Sequence, residues 1–233
     1  MIKRDLLLEK IKDYKDKDII KIITGIRRSG KSYLLFEIYY NYLIENGIDK
    51  QHIILINLES KKNEYLRDAN NLYNYIEQNI IDDKKYYIFI DEIQMVNEFE
   101  DVVNGIKTDF NSDLYITGSN SKLLSSDINT KLRGRGIEIK VYPLSFKEYY
   151  ENAGGDKQKA FNEYIMYGGM PYVSMLDKDY EKIEYLKMLN ETIGYRDIIE
   201  YNNIKNENLF NSLVELLCSQ IGSTVSPNKI ANT

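Results

Sequence analysis

The chemistry of this chain is concentrated in eight consecutive residues: Gly25, Ile26, Arg27, Arg28, Ser29, Gly30, Lys31 and Ser32. A glycine, four residues, then Gly-Lys-Ser suits one task, cradling a phosphate chain. Glycines at 25 and 30 can adopt positive φ and bring the backbone close to an anion. The amide hydrogens of the loop and of the helix start behind it, through Tyr33, point at that anion. Lys31 supplies a mobile cation for the β and γ phosphates, and the Ser32 hydroxyl is a ligand for Mg²⁺. A glycine turn carrying Lys-Ser by chance would lack the flanks found here, an apolar run before it and an amphipathic run after it.

A second signal lies 60 residues beyond Lys31, where the apolar run Tyr86–Ile90 empties into Asp91 and Glu92. A buried strand ending this way places both carboxylates at the edge of a sheet where ligands of open α/β sheets bind. Asp91 is the candidate to hold the Mg²⁺ shell, and Glu92 to polarise an attacking water. Two weaker signals follow. Ser119, in Thr117-Gly118-Ser119-Asn120, either contacts the γ-phosphate or caps the next helix. Arg135, in Lys131-Leu132-Arg133-Gly134-Arg135-Gly136, either projects toward a neighbour's triphosphate or belongs to a solvated basic turn. Glu59 ends another apolar run and is not counted among the expected site residues.

The elements that must position these residues can be read from period and punctuation. Strands are expected at 18–24, 52–58, 86–90, 114–117 and 137–141, each short and rich in β-branched or aromatic residues. Helical spacing runs through 31–45, 72–81 and 96–110. The alternation demands right-handed crossovers and a five-stranded parallel sheet with helices on both faces. After Pro143 the chain turns mostly helical, with candidates at 145–150, 157–167, 179–199 and 207–221. We therefore expect one domain over 1–143, a smaller helical domain over 144–225, and over 226–233 the start of a further segment, opened by Ser226 as a cap and Pro227 as first helical residue.

Composition closes off other chemistries. Cys218 is the single cysteine and His52 the single histidine, so a disulfide framework and a Cys/His metal site are excluded. Cys218 reads as a small core residue and His52 as structural. The tyrosines at 39, 40 and 42 read as the packed face of a helix. No apolar run approaches the roughly 18–20 residues needed to span a bilayer. The N-terminal ten residues lack the pattern of a signal peptide, which gives a cytoplasmic expectation. A formal charge of −5 gives no general case for nucleic-acid binding.

With these residues assembled, the chain resembles the AAA-plus-like ATPases of bacteria and archaea, which join an AAA-type P-loop ATPase domain to a second domain of uncharacterised role. The likeness is carried by the stretches 23–32, Ile90-Asp91-Glu92-Ile93-Gln94, Ile116-Thr117-Gly118-Ser119, Leu132-Arg133-Gly134-Arg135, Tyr142–Tyr149, Tyr167-Gly168-Gly169-Met170-Pro171 and Tyr195-Arg196-Asp197-Ile198. The resemblance implies that the strand before Ser119 lies between the strands before Gly25 and Asp91, that Ser119 is the sensor, and that Arg135 is the family's arginine. It implies ATP and Mg²⁺ as ligands, a winged-helix-like segment beginning near Ser226, and partners among copies of itself, DNA or proteins engaged through the C-terminal region. Three functions compete on this reading. The first is hydrolysis of ATP to ADP and phosphate driving a conformational switch. The second is a nucleotide-gated module for DNA or a protein, and the third, disfavoured by Glu92 directly after Asp91, is a small-molecule kinase.

Overall fold

A computed structural model describes residues 2–118, 131, 132, 134–193, 198, 199, 204–224, 226, 228 and 230. Five strands form one sheet: β1 Ile20–Thr24, β2 Ile53–Asn57, β3 Tyr86–Asp91, β4 Ser112–Gly118 and β5 Gly136–Lys140. Their order is β2-β3-β4-β1-β5 and every pairing is parallel. The fourth strand thus lies between the first and the third, as the resemblance implies.

The sequence makes this sheet because its strands are apolar on both faces, the pattern of a parallel sheet covered on both sides. Ile20, Ile22, Ile56, Ile88, Ile90, Leu114 and Ile116 turn to one face. There they pack on α3 Ala69–Asn79 and α4 Phe99–Asp109 through Leu72, Ile76, Val103 and Ile106. Ile23, Phe89, Tyr115 and Ile139 turn to the other face. That face is covered by α1 Asp5–Lys12 and by a helix over 31–45, α2. Each fully buried Ile or Leu contributes about 1.5–3 kcal/mol, so alternation along each strand fixes register: a slip by one residue would exchange the two cores.

α2 holds a departure from expectation. Its periodicity reads as plain α-helix, but Leu34–Tyr39 is wound as π-helix. Such wide turns are frequent at functional sites, and this one starts three residues after Lys31. α1 was not expected from the sequence. It caps the second face with Ile11, helped by Leu7 and Leu8.

Beyond β5 come α5 Phe146–Ala153, α6 Lys157–Tyr167, α7 Asp179–Thr192 and α8 Glu207–Ser219. Contacts divide the chain into two compact units, Met1–Leu186 and Lys187–Thr233. Residues 141–144, where the sequence places a change of domain, lie within the first of these units. Composition changes there, but packing does not: Leu144 donates its amide to Gly169 at 2.6 Å, and its carbonyl accepts from the Tyr164 hydroxyl at 2.9 Å. Ile2, Leu144, Tyr149 and Ala160 close a shared cluster. Of the segment expected over 226–233, residues 226, 228 and 230 are described and the other five lie outside the described residues. Cys218 is exposed rather than in a core, because α8 buries none of its side chains. His52 is structural, buried against Tyr86 and 3.1 Å from Asp82.

Candidate functional site

The chain leaves β1 at Thr24 and turns at Gly25, whose φ is +152°. A Cβ at this position would collide with the carbonyl oxygen of Val141, so only glycine lets the loop leave the strand here. The loop closes at Gly30, which starts α2 from a left-handed conformation with φ +99°. Arg28 is also left-handed, φ +63°. Lys31 is buried and folds back over the loop. Its Nζ donates to the carbonyl oxygens of Gly25 at 3.1 Å and Ile26 at 3.2 Å, and lies 4.0 Å from Glu92 Oε1.

β3 delivers the acids beside this loop. Burial pushes the Asp91 carboxyl up in pKa, and the hydroxyls of Thr117 and Ser32 pull it back. The Thr117 hydroxyl donates to Asp91 Oδ1 at 2.5 Å and accepts from the Glu92 amide at 3.1 Å. Glu92 takes the left-handed conformation, φ 56° and ψ 47°. In a non-glycine residue this costs about 1–3 kcal/mol. The bond from its amide to Thr117 holds that turn, and Gln94 donates its side-chain amide to the Glu92 carboxylate. The other amide atom of Gln94, its carbonyl oxygen, is buried without a partner.

Arg27, Arg28, Gly30, Lys31, Ser32, Tyr33, Glu59 and Glu92 line a cavity of about 360 Å³. Three cations on one loop face two carboxylates across it, with the Arg27 guanidinium 3.5 Å from Glu59. A second cavity, about 270 Å³, shares Arg28, Gly30 and Tyr33 with the first and is mostly apolar, walled by Leu144, Pro171, Tyr172, Met175 and Tyr185. The rings of Tyr172 and Tyr185 pack with centroids 4.8 Å apart.

The donor set fits a hard divalent cation shared with phosphate. Ser32 and Asp91 offer oxygen ligands side by side, and Mg²⁺ is held by one or two protein oxygens plus phosphates rather than by a protein cage. Among the described residues no group of three or more His, Cys, Asp or Glu could hold a metal by itself.

An AAA-domain family model matches residues 17–150. The chain belongs to this AAA-domain family. A domain of unknown function (DUF8612) matches residues 158–233. An uncharacterized protein of Haemophilus influenzae is 38% identical over 239 residues, covering 100% of this chain and 59% of that protein. The uncharacterized protein MJ1544 of Methanocaldococcus jannaschii is 35% identical over 227 residues, covering 91% of this chain and 49% of the relative. The chain thus spans about half the length of the curated relatives it matches. Among solved structures, a Walker-type ATPase of Pyrococcus abyssi, paby2304, shares the fold with a TM-score of 0.52 and 17% identity, over 94% of this chain and 76% of that one.

The AAA domain brings Lys31, Ser32, Asp91 and Glu92 together at the C-terminal edge of the sheet. Arg135 is not among them. It precedes β5, and its carbonyl accepts from the amide of Ile20, the first residue of β1. Five residues of β1, about 16 Å of strand, separate it from Gly25. Ser119 lies outside the described residues, as does Arg196. Sequence reasoning missed Thr117 as the partner of both acids, Gln94 as the partner of Glu92, and the wall formed by Tyr172 and Tyr185. Thr117 and Gln94 stand next to or within the motifs that were read. The two tyrosines gave no local signal, being some 140 residues from the loop they adjoin. In the AAA-domain protein no described helix is long and apolar enough to cross a membrane.

Proposed function

We propose that this chain binds ATP with Mg²⁺ at the Gly25–Ser32 loop and hydrolyses it to ADP and phosphate. The observation that carries the reading is the convergence of Lys31 and Glu92, 4.0 Å apart, beside the adjoining Ser32 and Asp91. In this reading the triphosphate occupies the cationic cavity, and the base enters the apolar one against Tyr33, Tyr172 and Tyr185. The chain carries no Asn-Lys-x-Asp pattern of the kind that reads guanine, which supports ATP over GTP.

Lys31 moves from the loop carbonyls to the β and γ phosphates, whose charged oxygens make stronger hydrogen bonds with its ammonium than neutral carbonyls do. Ser32 and Asp91 would hold Mg²⁺. The ion, when bound, neutralises charge on the phosphate oxygens. Glu92 orients a water and takes its proton. The water oxygen bonds to the γ-phosphorus, the bond to the bridging oxygen breaks, and its electron pair leaves on ADP. Arg135 cannot reach this site within its own chain, so its role is toward a second copy's triphosphate, where an arginine of this kind is worth about 10³–10⁵ in rate.

One set of measurements tests both parts. Mg-ATP at 100 times its dissociation constant stabilises the wild type by about 2.7 kcal/mol, a midpoint rise of roughly 5–11 °C at this chain length. Lys31→Ala abolishes that rise, and Mg-GTP gives a smaller one in the wild type. No stabilisation of folded wild type by either nucleotide would sink the reading. For Arg135, Lys31→Ala and Arg135→Ala proteins are mixed. The mixture releases phosphate faster than the two apart, because each heterologous pair rebuilds one whole site. Equal rates would confine Arg135 to a solvated turn.

A further inference from the structure

Arg4, in the short segment before α1, lines the apolar cavity, yet the hydrolytic reading gives its guanidinium no task. The residue is only 5% exposed, and a buried arginine is almost always tied down. Three segments distant in sequence tie it. Nη1 donates to the carbonyl of Ser29 in the phosphate loop at 3.2 Å, and Nη2 to the carbonyl of Tyr142, just past β5, at 2.7 Å. Nε donates to Glu148 Oε1 at 2.8 Å.

Each end of this bridge has a consequence. A trans peptide is planar, with its C=O and N–H pointing opposite ways. By holding the Ser29 carbonyl, Arg4 turns the Gly30 amide hydrogen away from itself, and Gly30 lines the cationic cavity. At the other end, Glu148 has divided its carboxylate. Oε1 takes Arg4, while Oε2 accepts from the Ser145 amide and the Ser145 hydroxyl, each at 2.8 Å, closing the capping box of α5. The same carboxylate that starts α5 therefore fixes the guanidinium that orients the loop. Glu148 lines neither of the two cavities described above.

We propose that Arg4 is a positioning residue that holds the Ser29–Gly30 peptide in its phosphate-accepting orientation, and that through Glu148 it couples occupancy of the loop to the order of α5. The proposal rests on the reading that the loop takes a nucleotide. Coupling of this kind is reciprocal: if a firm α5 favours the ligand, the ligand firms α5 by the same factor.

The test titrates MgADP calorimetrically into wild type, Glu148→Gln, Arg4→Lys and Ser145→Ala, and follows amide exchange over residues 146–153 with and without MgADP. Glutamine keeps the one acceptor a capping box needs and turns its NH2 toward Arg4 Nε, two donors that cannot pair, so the ion pair is lost. Glu148→Gln and Arg4→Lys weaken MgADP about five-fold or more, at the lower end of usual coupling strengths. In both, MgADP no longer slows exchange in α5, as it does in the wild type. Ser145→Ala lowers the unfolding midpoint by loss of a cap and weakens MgADP less than Glu148→Gln does, because it loosens α5 but leaves the Arg4–Glu148 pair in place. Wild-type affinity in Glu148→Gln overturns the coupling, and so does an equal loss in Ser145→Ala, which would make helix stability the cause. Failure of wild type to bind MgADP would remove the nucleotide reading itself, and the coupling with it.

Discussion

Glu92→Gln is expected to keep nucleotide binding and lose turnover, with kcat lower by about 10²–10⁴-fold, the contribution of a positioned general base. Glutamine is nearly isosteric and its carbonyl oxygen still accepts from Gln94, so the left-handed turn held by Thr117 is retained. What disappears is a carboxylate able to take a proton from water. The Lys31 cation loses a counter-charge 4.0 Å away, which favours ATP binding slightly rather than weakening it. Phosphate release at saturating Mg-ATP reads the first effect, and the thermal shift with Mg-ATP reads the second. A variant that hydrolyses at the wild-type rate would take Glu92 out of the chemistry and leave Asp91 and Lys31 in place.

Asp113→Ala is expected to destabilise the fold by about 3–5 kcal/mol, the cost of leaving a buried charge without its partner. Lys21 and Asp113 form an ion pair with both side chains essentially inaccessible to solvent. Asp113 Oδ2 also accepts from the Asp16 amide at 2.8 Å and the Tyr115 hydroxyl at 2.9 Å. Burial presses the Lys21 pKa down, and Asp113 is what opposes it. The loss corresponds to a midpoint lower by roughly 6–20 °C. Replacing both charges, as Lys21→Met with Asp113→Leu, recovers only part of it: apolar pairs substitute well for buried ion pairs, but leucine cannot accept from the Asp16 amide and the Tyr115 hydroxyl. Urea titration of the three proteins checks this. A single variant within 1 kcal/mol of wild type would mean that Lys21 finds water or another acceptor.

What the sequence disclosed and what it hid divide along one line, the distance between partners. The loop, its strand and its helix are contiguous, so Gly25 to Ser32 could be read from spacing alone. Asp91 and Glu92 could be read because an apolar strand pointed them at a known edge. Lys21 could not, since it sits inside an apolar strand and its partner is 92 residues away. Arg4 was equally hidden, with two of its three partners 138 and 144 residues on. The π-wound turn after Lys31 stayed hidden for another reason: apolar residues at 34, 35 and 38 suit an α-helix as well. The shift after Pro143 is one of composition, and it falls inside a single contact unit. Helical sequence there packs on the strands' own unit through Leu144 and Glu148.

The strand order sets a timetable for the newborn chain. β1 pairs only with β4 and β5, both made long after it, whereas β2 and β3 can join as soon as residue 91 has emerged. From the end of β1 to the end of β4 a ribosome adds 94 residues, roughly 5–20 s of synthesis. Through that interval Ile20, Ile22 and Ile23 have no sheet to enter, and the phosphate loop behind them hangs from an unanchored strand. Nucleotide cannot assist until the centre of the sheet has closed, so the early nascent chain must be kept from aggregation by something other than its ligand.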